Sequence, residues 1–143
     1  MIYTKMTKLA LKICFEAHKD QLDKSGLPYV FHPFHLAEQM TDEETTVVAL
    51  LHDVIEDTDH TVEDLRKLGF SENVIRAVEL MTHAPEVPYM DYVANIKTNR
   101  IAKAVKLADL RHNSDMSRLE HITPYDVERA EKYKKAIELL ENA

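Results

Sequence analysis

Apolar side chains recur at intervals of three and four residues along most of this chain. Between residues 4 and 19 the apolar positions are Met6, Leu9, Ala10, Ile13, Cys14 and Ala17. That spacing is typical of one face of an amphipathic helix. By contrast, no segment of useful length alternates apolar and polar residues with a period of two. The pattern therefore predicts an all-α fold, in which Cys14 is a buried structural thiol.

Local signals predict where the helices begin and end. A loop containing Gly26 and Pro28 should separate the first helix from a second one over about 29–40. Thr41 followed by Glu44 matches a capping box, which is expected to open a third helix that continues to about residue 58.

The second half of the chain carries stronger boundary signals. Thr61 and Gly69 are expected to bound a short helix, and Ser71 to cap the next. Thr123, with a proline after it, marks the start of the last helix. The remaining expected helices cover about 72–82, 89–97, 101–117 and 124–140. The sequence thus predicts a single domain over residues 1–143, built from about seven or eight helices.

Composition narrows the class of protein. With 143 residues, 45% of them hydrophobic, the chain is long enough to bury a core. Its net charge of −7, without a long basic run, argues against binding a nucleic acid polymer but allows a small anionic ligand. A signal peptide and a long apolar run are both lacking, so we expect a cytoplasmic protein with no membrane partner. Oligomeric state stays open, and a homo-oligomer is allowed.

The candidate chemistry is densest in the stretch Ala49-Leu-Leu-His-Asp-Val-Ile-Glu-Asp-Thr58. His52 and Asp53 lie in an apolar helix, where polar groups are costly to bury unless something compensates them, and a metal ion fits best. Glu56 and Asp57 each follow one of these residues by four positions and would share its helix face. The alternative is that the acidic residues after Ile55 form a solvated helix terminus.

Two further polar residues lie in apolar surroundings. His32 falls within Tyr29-Val-Phe-His-Pro-Phe, as a metal ligand or as a core histidine with satisfied hydrogen bonds. Asp109 lies between Ala108 and Leu110, so a nearby cation or hydrogen-bond network is expected. The alternative for Asp109 is a buried salt bridge to Lys106 or Arg111.

Taken together and in this order, these residues resemble a known family. His32, His52-Asp53 and Asp109 match the HD-domain metal-dependent phosphohydrolases, and more narrowly the hydrolase domain of the RelA/SpoT alarmone enzymes and the small alarmone hydrolases. The resemblance spans roughly residues 5–118. The matching segments are Lys24-Ser-Gly-Leu-Pro-Tyr-Val-Phe-His-Pro33, Ala49–Thr58, and Lys106-Leu-Ala-Asp109 with His112-Asn113.

The resemblance implies a helical fold that binds one divalent ion, usually Mn²⁺, through four ligands: His32, His52, Asp53 and Asp109. In that family, Glu56 and Asp57 correspond to the acidic pair that activates or positions the attacking water. The substrate is a small nucleotide, (p)ppGpp, which loses its 3′-pyrophosphate. The positions that match substrate contacts are Lys24, Ser25 and Asn113, and Lys106 is a further candidate. For Lys24 and Lys106 the alternative is a solvated surface position.

Two departures from the family pattern bear on the substrate. Asp23 stands where the alarmone hydrolases usually have an arginine that packs on guanine, and Asp115 stands where a second arginine is common. Losing cations should weaken the binding of a highly anionic nucleotide. Two other functions therefore stay open: an HD-type nucleotidase that releases phosphate from a different nucleotide, and a nucleotide-binding sensor with little turnover. The remaining alternative is a purely structural helical domain.

Overall fold

The structure, a computed structural model, describes residues 1–142 and is built from α-helices joined by short loops. The all-α prediction is confirmed. Nine helices are present in this part of the chain, or eight if α3 and α4 are counted as the one helix that the sequence predicts. In chain order they are α1 (Lys5–His18), α2 (Phe31–Glu38), α3 (Glu43–Leu51), α4 (Val54–Asp57), α5 (Val62–Lys67), α6 (Glu72–Met81), α7 (Tyr89–Lys97), α8 (Arg100–Ser114) and α9 (Pro124–Glu141).

Helix α3 forms the centre of the fold. Every residue from Thr45 to Leu51 is buried, and the helix packs against α1, α2, α6 and α8. A short helix that is apolar on all sides is stable only when neighbouring helices surround it. Because α3 runs through the interior, the residue at its C-terminal end, His52, is also buried.

The predicted continuous helix through His52 and Asp53 is wrong. Helix α3 ends at Leu51, and α4 is a separate turn that starts at Val54. The imidazole Nδ1 of His52 lies 2.7 Å from the carbonyl oxygen of Ala49. That oxygen is the acceptor that the amide of Asp53 would use in a continued helix. Consequently the four-residue spacing from His52 to Glu56 does not define a shared helix face, whereas Asp53 and Asp57 still lie on one turn, since the N–H of Asp57 donates to the carbonyl of Asp53 at 3.0 Å.

Two other predicted boundaries need correction. The N-cap of α3 is Asp42 rather than Thr41, and its carboxylate accepts a hydrogen bond from the backbone N–H of Thr45 at 2.8 Å. Helix α8 ends at Ser114, three residues earlier than predicted. There Asp115 adopts an extended conformation and its carboxylate accepts the N–H of Ser117, a local turn that competes with further helix.

The remaining boundary signals agree with the structure. Thr61, Ser71 and Thr123 are the N-cap residues of α5, α6 and α9. Gly69 follows α5 with φ +98°, a conformation that glycine adopts without steric cost. Cys14 is 1% exposed, as predicted for a structural thiol.

Helix α9 packs against α8 and α7 through a narrow apolar stripe. Of its eighteen residues only Ala136 and Leu140 are buried. The N-terminal half of the helix therefore presents long polar and aromatic side chains to the space beside α8. Within residues 1–142, no helix combines the length and the apolar character that a membrane span requires.

Candidate metal and phosphate site

Residues from α2, the α3–α4 turn and α8 meet in one buried cluster. The side chains of His32, His52 and Asp109 each offer a ligand atom, and these atoms lie within 4.8 Å of one another. His32 Nε2 is 2.8 Å from Asp109 Oδ1, although 77 positions separate the two residues along the chain. All three residues are at most 5% exposed. The structure therefore brings together three of the four metal ligands that the resemblance implies.

The tautomer of His52 is fixed by the backbone. A carbonyl oxygen only accepts, so Nδ1 carries the proton that it donates to Ala49. Nε2 is buried and makes no hydrogen bond, although Asp53 Oδ2 lies 3.1 Å away and Asp109 Oδ1 3.6 Å away. A ring-nitrogen lone pair that faces two carboxylate oxygens is unfavourable by itself. A cation between them removes the repulsion, and this arrangement fits a divalent ion.

His112, on α8, supports His32 from the side opposite Asp109. The two ring planes lie within 12° of each other with centroids 4.9 Å apart, and their Nδ1 atoms are 2.6 Å apart. Burial, and then the nearby His32 and Arg118, lower the pKa of His112 to about 4. His112 is therefore neutral at pH 7 and can accept the Nδ1–H of His32, which leaves Nε2 of His32 free as a ligand. Sequence reasoning did not assign this role to His112.

Asp109 accepts hydrogen bonds from two neighbours on α8 and lies against His32 of α2. Lys106 Nζ lies 2.8 Å from its Oδ2, and the amide nitrogen of Asn113 lies 3.1 Å from its Oδ1. Burial alone would raise the pKa of Asp109, but the Lys106 charge holds it well below its usual range. The alternative salt bridge to Lys106 is thus present, in the same cluster as the histidines. Arg111 pairs instead with Glu141, at 2.9 Å.

Asp53, the fourth predicted ligand, lies at the edge of the cluster. It accepts a hydrogen bond from the hydroxyl of Tyr29. Burial, followed by the charges of Asp109 and Asp57, raises its pKa well above the usual range. The site thus gathers more negative charge than its protein groups neutralise, as expected where carboxylates share a bound cation. Imidazole nitrogen with carboxylate oxygen suits Mn²⁺, Fe²⁺ and several other divalent ions.

Glu56 and Asp57 are exposed on α4, beside the buried cluster. Glu56 Oε1 accepts a hydrogen bond from the backbone N–H of His83 at 2.5 Å, and Asp57 Oδ2 lies 3.5 Å from Gln21 Nε2. Both acids line a cleft of about 760 Å³ that also reaches Asp53. Exposure agrees with the solvated-terminus alternative, but the cleft location also gives these acids access to a bound substrate.

The predicted substrate residues are divided between the cleft and the buried cluster. Lys24 is exposed, with Nζ 4.9 Å from the centre of the Tyr125 ring, and lines the cleft. The Ser25 hydroxyl donates to Asp23 Oδ1 at 2.7 Å, inside its own loop. Lys106, by contrast, is only 13% exposed and is paired with Asp109, so it is not a solvated surface residue.

Asp23 has a different environment from the one that the sequence comparison suggested. Its Oδ1 accepts hydrogen bonds from Ser25 and from the backbone N–H of Leu27, which shapes the loop. Its Oδ2 is 3.2 Å from an amino group of Arg118. Asp23, Ser25 and Arg118 line an adjoining pocket of about 260 Å³ together with Asn113 and Asp115. Asp23 therefore adds no unpaired negative charge, because Arg118 supplies a compensating cation.

Five residues of α9 complete the cleft, and sequence reasoning did not identify them. The sequence predicted only that a helix begins after Thr123. The residues concerned are Tyr125, Glu128, Arg129, Lys132 and Tyr133. A signal was present, since residues 125, 129, 132, 133, 136 and 140 follow helical spacing and the last two are the buried residues of α9. The cleft thus gains two cations, two aromatic rings and one acid.

The helical fold and a buried cluster of histidine and aspartate define a class of protein. The HD domain family matches residues 10–113 of the chain, and the chain belongs to this family. Within the family it is similar to alarmone hydrolases from bacteria and animals.

Three sequence relatives and one solved structure describe that similarity. A guanosine-3′,5′-bis(diphosphate) 3′-pyrophosphohydrolase of Aquifex aeolicus is 36% identical over 88% of this chain, and the bifunctional (p)ppGpp synthase/hydrolase SpoT of Escherichia coli is 34% identical over 76%. The zebrafish (Danio rerio) pyrophosphohydrolase MESH1 is 33% identical over 82%. The structure of a metazoan orthologue of SpoT that hydrolyses ppGpp superposes with a TM-score of 0.79 at 26% identity.

Coverage differs between the bacterial and the animal relatives. The chain spans only 18% of the length of the Aquifex and Escherichia proteins. It spans 72% of MESH1, and the structural match covers 99% of this chain and 89% of the other. The similarity to the bacterial proteins is thus confined to one part of each.

Proposed function

We propose that this chain is a metal-dependent phosphohydrolase that removes pyrophosphate from the 3′ position of (p)ppGpp or a closely related nucleotide. The observation that carries the proposal concerns His52. Its Nε2 is buried, faces the carboxylates of Asp53 and Asp109, and receives no hydrogen bond. A divalent ion, which we propose to be Mn²⁺ held by His32, His52, Asp53 and Asp109, would satisfy it. The whole chain would act as one cytoplasmic hydrolase domain.

The charges around the cleft support a phosphorylated substrate. The chain is acidic overall and the cleft holds four acids, Asp53, Glu56, Asp57 and Glu128, yet Lys24, Arg129 and Lys132 line the same cleft and Arg118 lines the adjoining pocket. Cations in a partly enclosed cleft attract polyanions, and arginine can bind a phosphate through two hydrogen bonds. The rings of Tyr29 and Tyr133 line both cavities and offer surfaces for a nucleobase. Ser25 and Asn113 would contact the same substrate.

The residues of the site then have distinct roles. When bound, a divalent ion would activate a water molecule and neutralise charge on the phosphate. Glu56 and Asp57, on the exposed rim beside Asp53, would position that water and take its proton. Lys106 does not contact solvent freely, and its role would be to keep Asp109 ionised. Lys24 and the cations of α9 would hold the phosphate groups.

The decisive experiment combines metal analysis with product identification. Purified protein is analysed for bound metal and assayed with Mn²⁺ against ppGpp, pppGpp, GTP and nucleoside 5′-monophosphates. We expect pyrophosphate release from the 3′-pyrophosphorylated nucleotides. Release of orthophosphate from a monophosphate would instead indicate the HD-type nucleotidase, and nucleotide binding without any metal-dependent turnover would indicate a sensor.

Three variants separate metal binding from proton transfer. Asp53→Ala should lose both metal and activity. Glu56→Gln keeps an oxygen for the His83 N–H but cannot take a proton, so it should keep the metal and lose about a hundredfold or more in rate. Asp59→Ala, an exposed acid that lines a different cavity, is the matched control and should behave as wild type. Full activity of Glu56→Gln would contradict the role given to Glu56.

A further inference from the structure

We infer that His18 is a positioning residue, which acts through Gln21 to hold the carboxylate of Asp57 toward the cleft. The inference rests on the proposed hydrolase function, because it assigns a support to one of the two acids of that site. His18 is the last residue of α1 and is fully buried. Its Nδ1 lies 3.0 Å from Gln21 Oε1, and Gln21 Nε2 lies 3.5 Å from Asp57 Oδ2.

The orientation of the Gln21 amide is determined by its two neighbours. A carboxylate only accepts, so the NH₂ group of Gln21 must face Asp57 and the amide oxygen must face His18. His18 Nδ1 is therefore the donor, and a proton on this atom locks the amide in the orientation that serves Asp57. Burial lowers the pKa of His18, which favours the neutral ring with a single proton. In the neutral ring, the tautomer with its proton on Nδ1 therefore determines both contacts, from His18 to Gln21 and from Gln21 to Asp57.

The backbone holds Gln21 in place as well. Its N–H donates to the carbonyl of His18 at 3.1 Å, and its carbonyl accepts the N–H of Tyr29 at 2.8 Å. Because its backbone is held on both sides, Gln21 extends its side chain from a fixed position between His18 and Asp57. Asp57, in contrast, sits exposed on a single helical turn. An exposed carboxylate on so short an element gains its direction from a partner outside that element.

A purely structural role for His18 explains less of what is observed. Nε2 of His18 is buried and has no hydrogen-bond partner, which costs free energy that an apolar side chain of similar size would avoid. The ring also packs edge-on against Tyr29, with centroids 5.0 Å apart, but phenylalanine could make that contact. The property that only an imidazole or an amide provides here is the hydrogen-bond donor to Gln21.

The test uses variants that separate the ring from the donor. His18→Phe keeps the packing against Tyr29 and removes the donor, whereas His18→Asn keeps a donor near the position of Nδ1. Gln21→Met removes the link to Asp57, and the double variant His18→Phe/Gln21→Met measures coupling between the two sites. Lys19→Met, an exposed residue next in the chain, is the matched control. Metal content, kcat and KM are measured for each.

We expect His18→Phe and Gln21→Met each to lower kcat about three- to tenfold, the range for one hydrogen bond, with KM and metal content unchanged. The double variant should be no slower than either single variant, and His18→Asn should recover much of the rate. Additive losses, or a change in KM alone, would overturn the inference. If His18→Phe does not fold, Gln21→Met decides, because a kcat equal to wild type would also overturn it.

A second readout does not require turnover. The carboxyl ¹³C resonance of Asp57, recorded on the metal-free protein at one pH, should shift in Gln21→Met and His18→Phe alike and stay unchanged in Lys19→Met. A protein that hydrolyses no nucleotide yet shows these shifts would refute the proposed hydrolase function and keep the positioning contact. A resonance that does not respond to His18→Phe would overturn the positioning role whether or not the protein is active.

Discussion

His32, His52 and Asp109 are buried and hold one another through short contacts, whereas Lys24, Arg129 and Lys132 reach the same space from exposed or half-exposed positions. The buried half has its geometry before anything binds. The exposed half consists of long side chains, which keep more conformational freedom than buried ones until a ligand holds them. Substitutions in the buried half should therefore affect metal binding and stability together, and substitutions in the exposed half should affect substrate affinity alone.

The largest effect is expected from Asp109→Asn. This change removes a proposed metal ligand and leaves the ammonium group of Lys106 buried without its partner, which should cost about 3 kcal/mol or more of folding stability. Chemical denaturation and metal analysis measure the two losses. The double variant Asp109→Asn/Lys106→Met removes the unpaired charge as well, and it should regain part of the stability but none of the metal. A double variant no more stable than the single one would contradict the account of the buried pair.

A smaller effect, confined to substrate binding, is expected from Arg129→Ala. A charge-assisted hydrogen bond contributes about 1.5–3 kcal/mol, so KM for the nucleotide should rise by about tenfold or more. Metal content and the unfolding midpoint should be unchanged, because Arg129 faces the cleft and not the core. Lys135→Ala, an exposed lysine further along α9, is the control for a general loss of positive charge. Equal effects of the two variants would indicate long-range attraction rather than contact.

Thr123→Ala should weaken the same half of the site indirectly. Thr123 is the N-cap of α9 and forms a capping box with Asp126, so its loss should cost about 1 kcal/mol of stability. Since α9 supplies the cations and tyrosines of the cleft, KM should rise modestly while the metal stays bound. Amide hydrogen exchange should be faster in the first turns of α9 and unchanged in α3. Faster exchange in α3 would show that the two halves are not independent.

The smallest effect is expected at Cys14. Burial, and then the charge of Asp53, raises the pKa of its thiol to about 12, so hardly any thiolate forms at pH 8. Native protein should therefore react with a thiol reagent only at the rate at which it unfolds. Titration of the thiol in native and in denatured protein gives the comparison. Rapid labelling of the native protein would mean that α1 separates readily from the core.

The sequence predicted the helices better than the site. Residues such as Thr61, Gly69 and Thr123 act on their own backbone neighbours, so short-range reasoning finds them. The complete set of four proposed metal ligands was assembled only through resemblance to a family, because His32 and Asp109 are far apart in the chain and each has an ordinary structural explanation. The His52–Asp53 break was missed, since it depends on one side chain taking a backbone acceptor. The cleft-lining residues of α9 were missed, because a helix with many charged residues is equally well explained as a solvated surface helix.

Spacing and capping alone determined that this chain is all-α, where most of its helices begin, and that Cys14 is buried. Only the tertiary structure decided that Lys106 turns inward to Asp109, that Arg118 balances Asp23, and that Arg129 faces the cleft. The physical reason is the range of the forces involved. Hydrogen bonds within a helix join residues at most four positions apart, whereas a buried charge is stabilised by whichever partners the packing of distant helices brings to it.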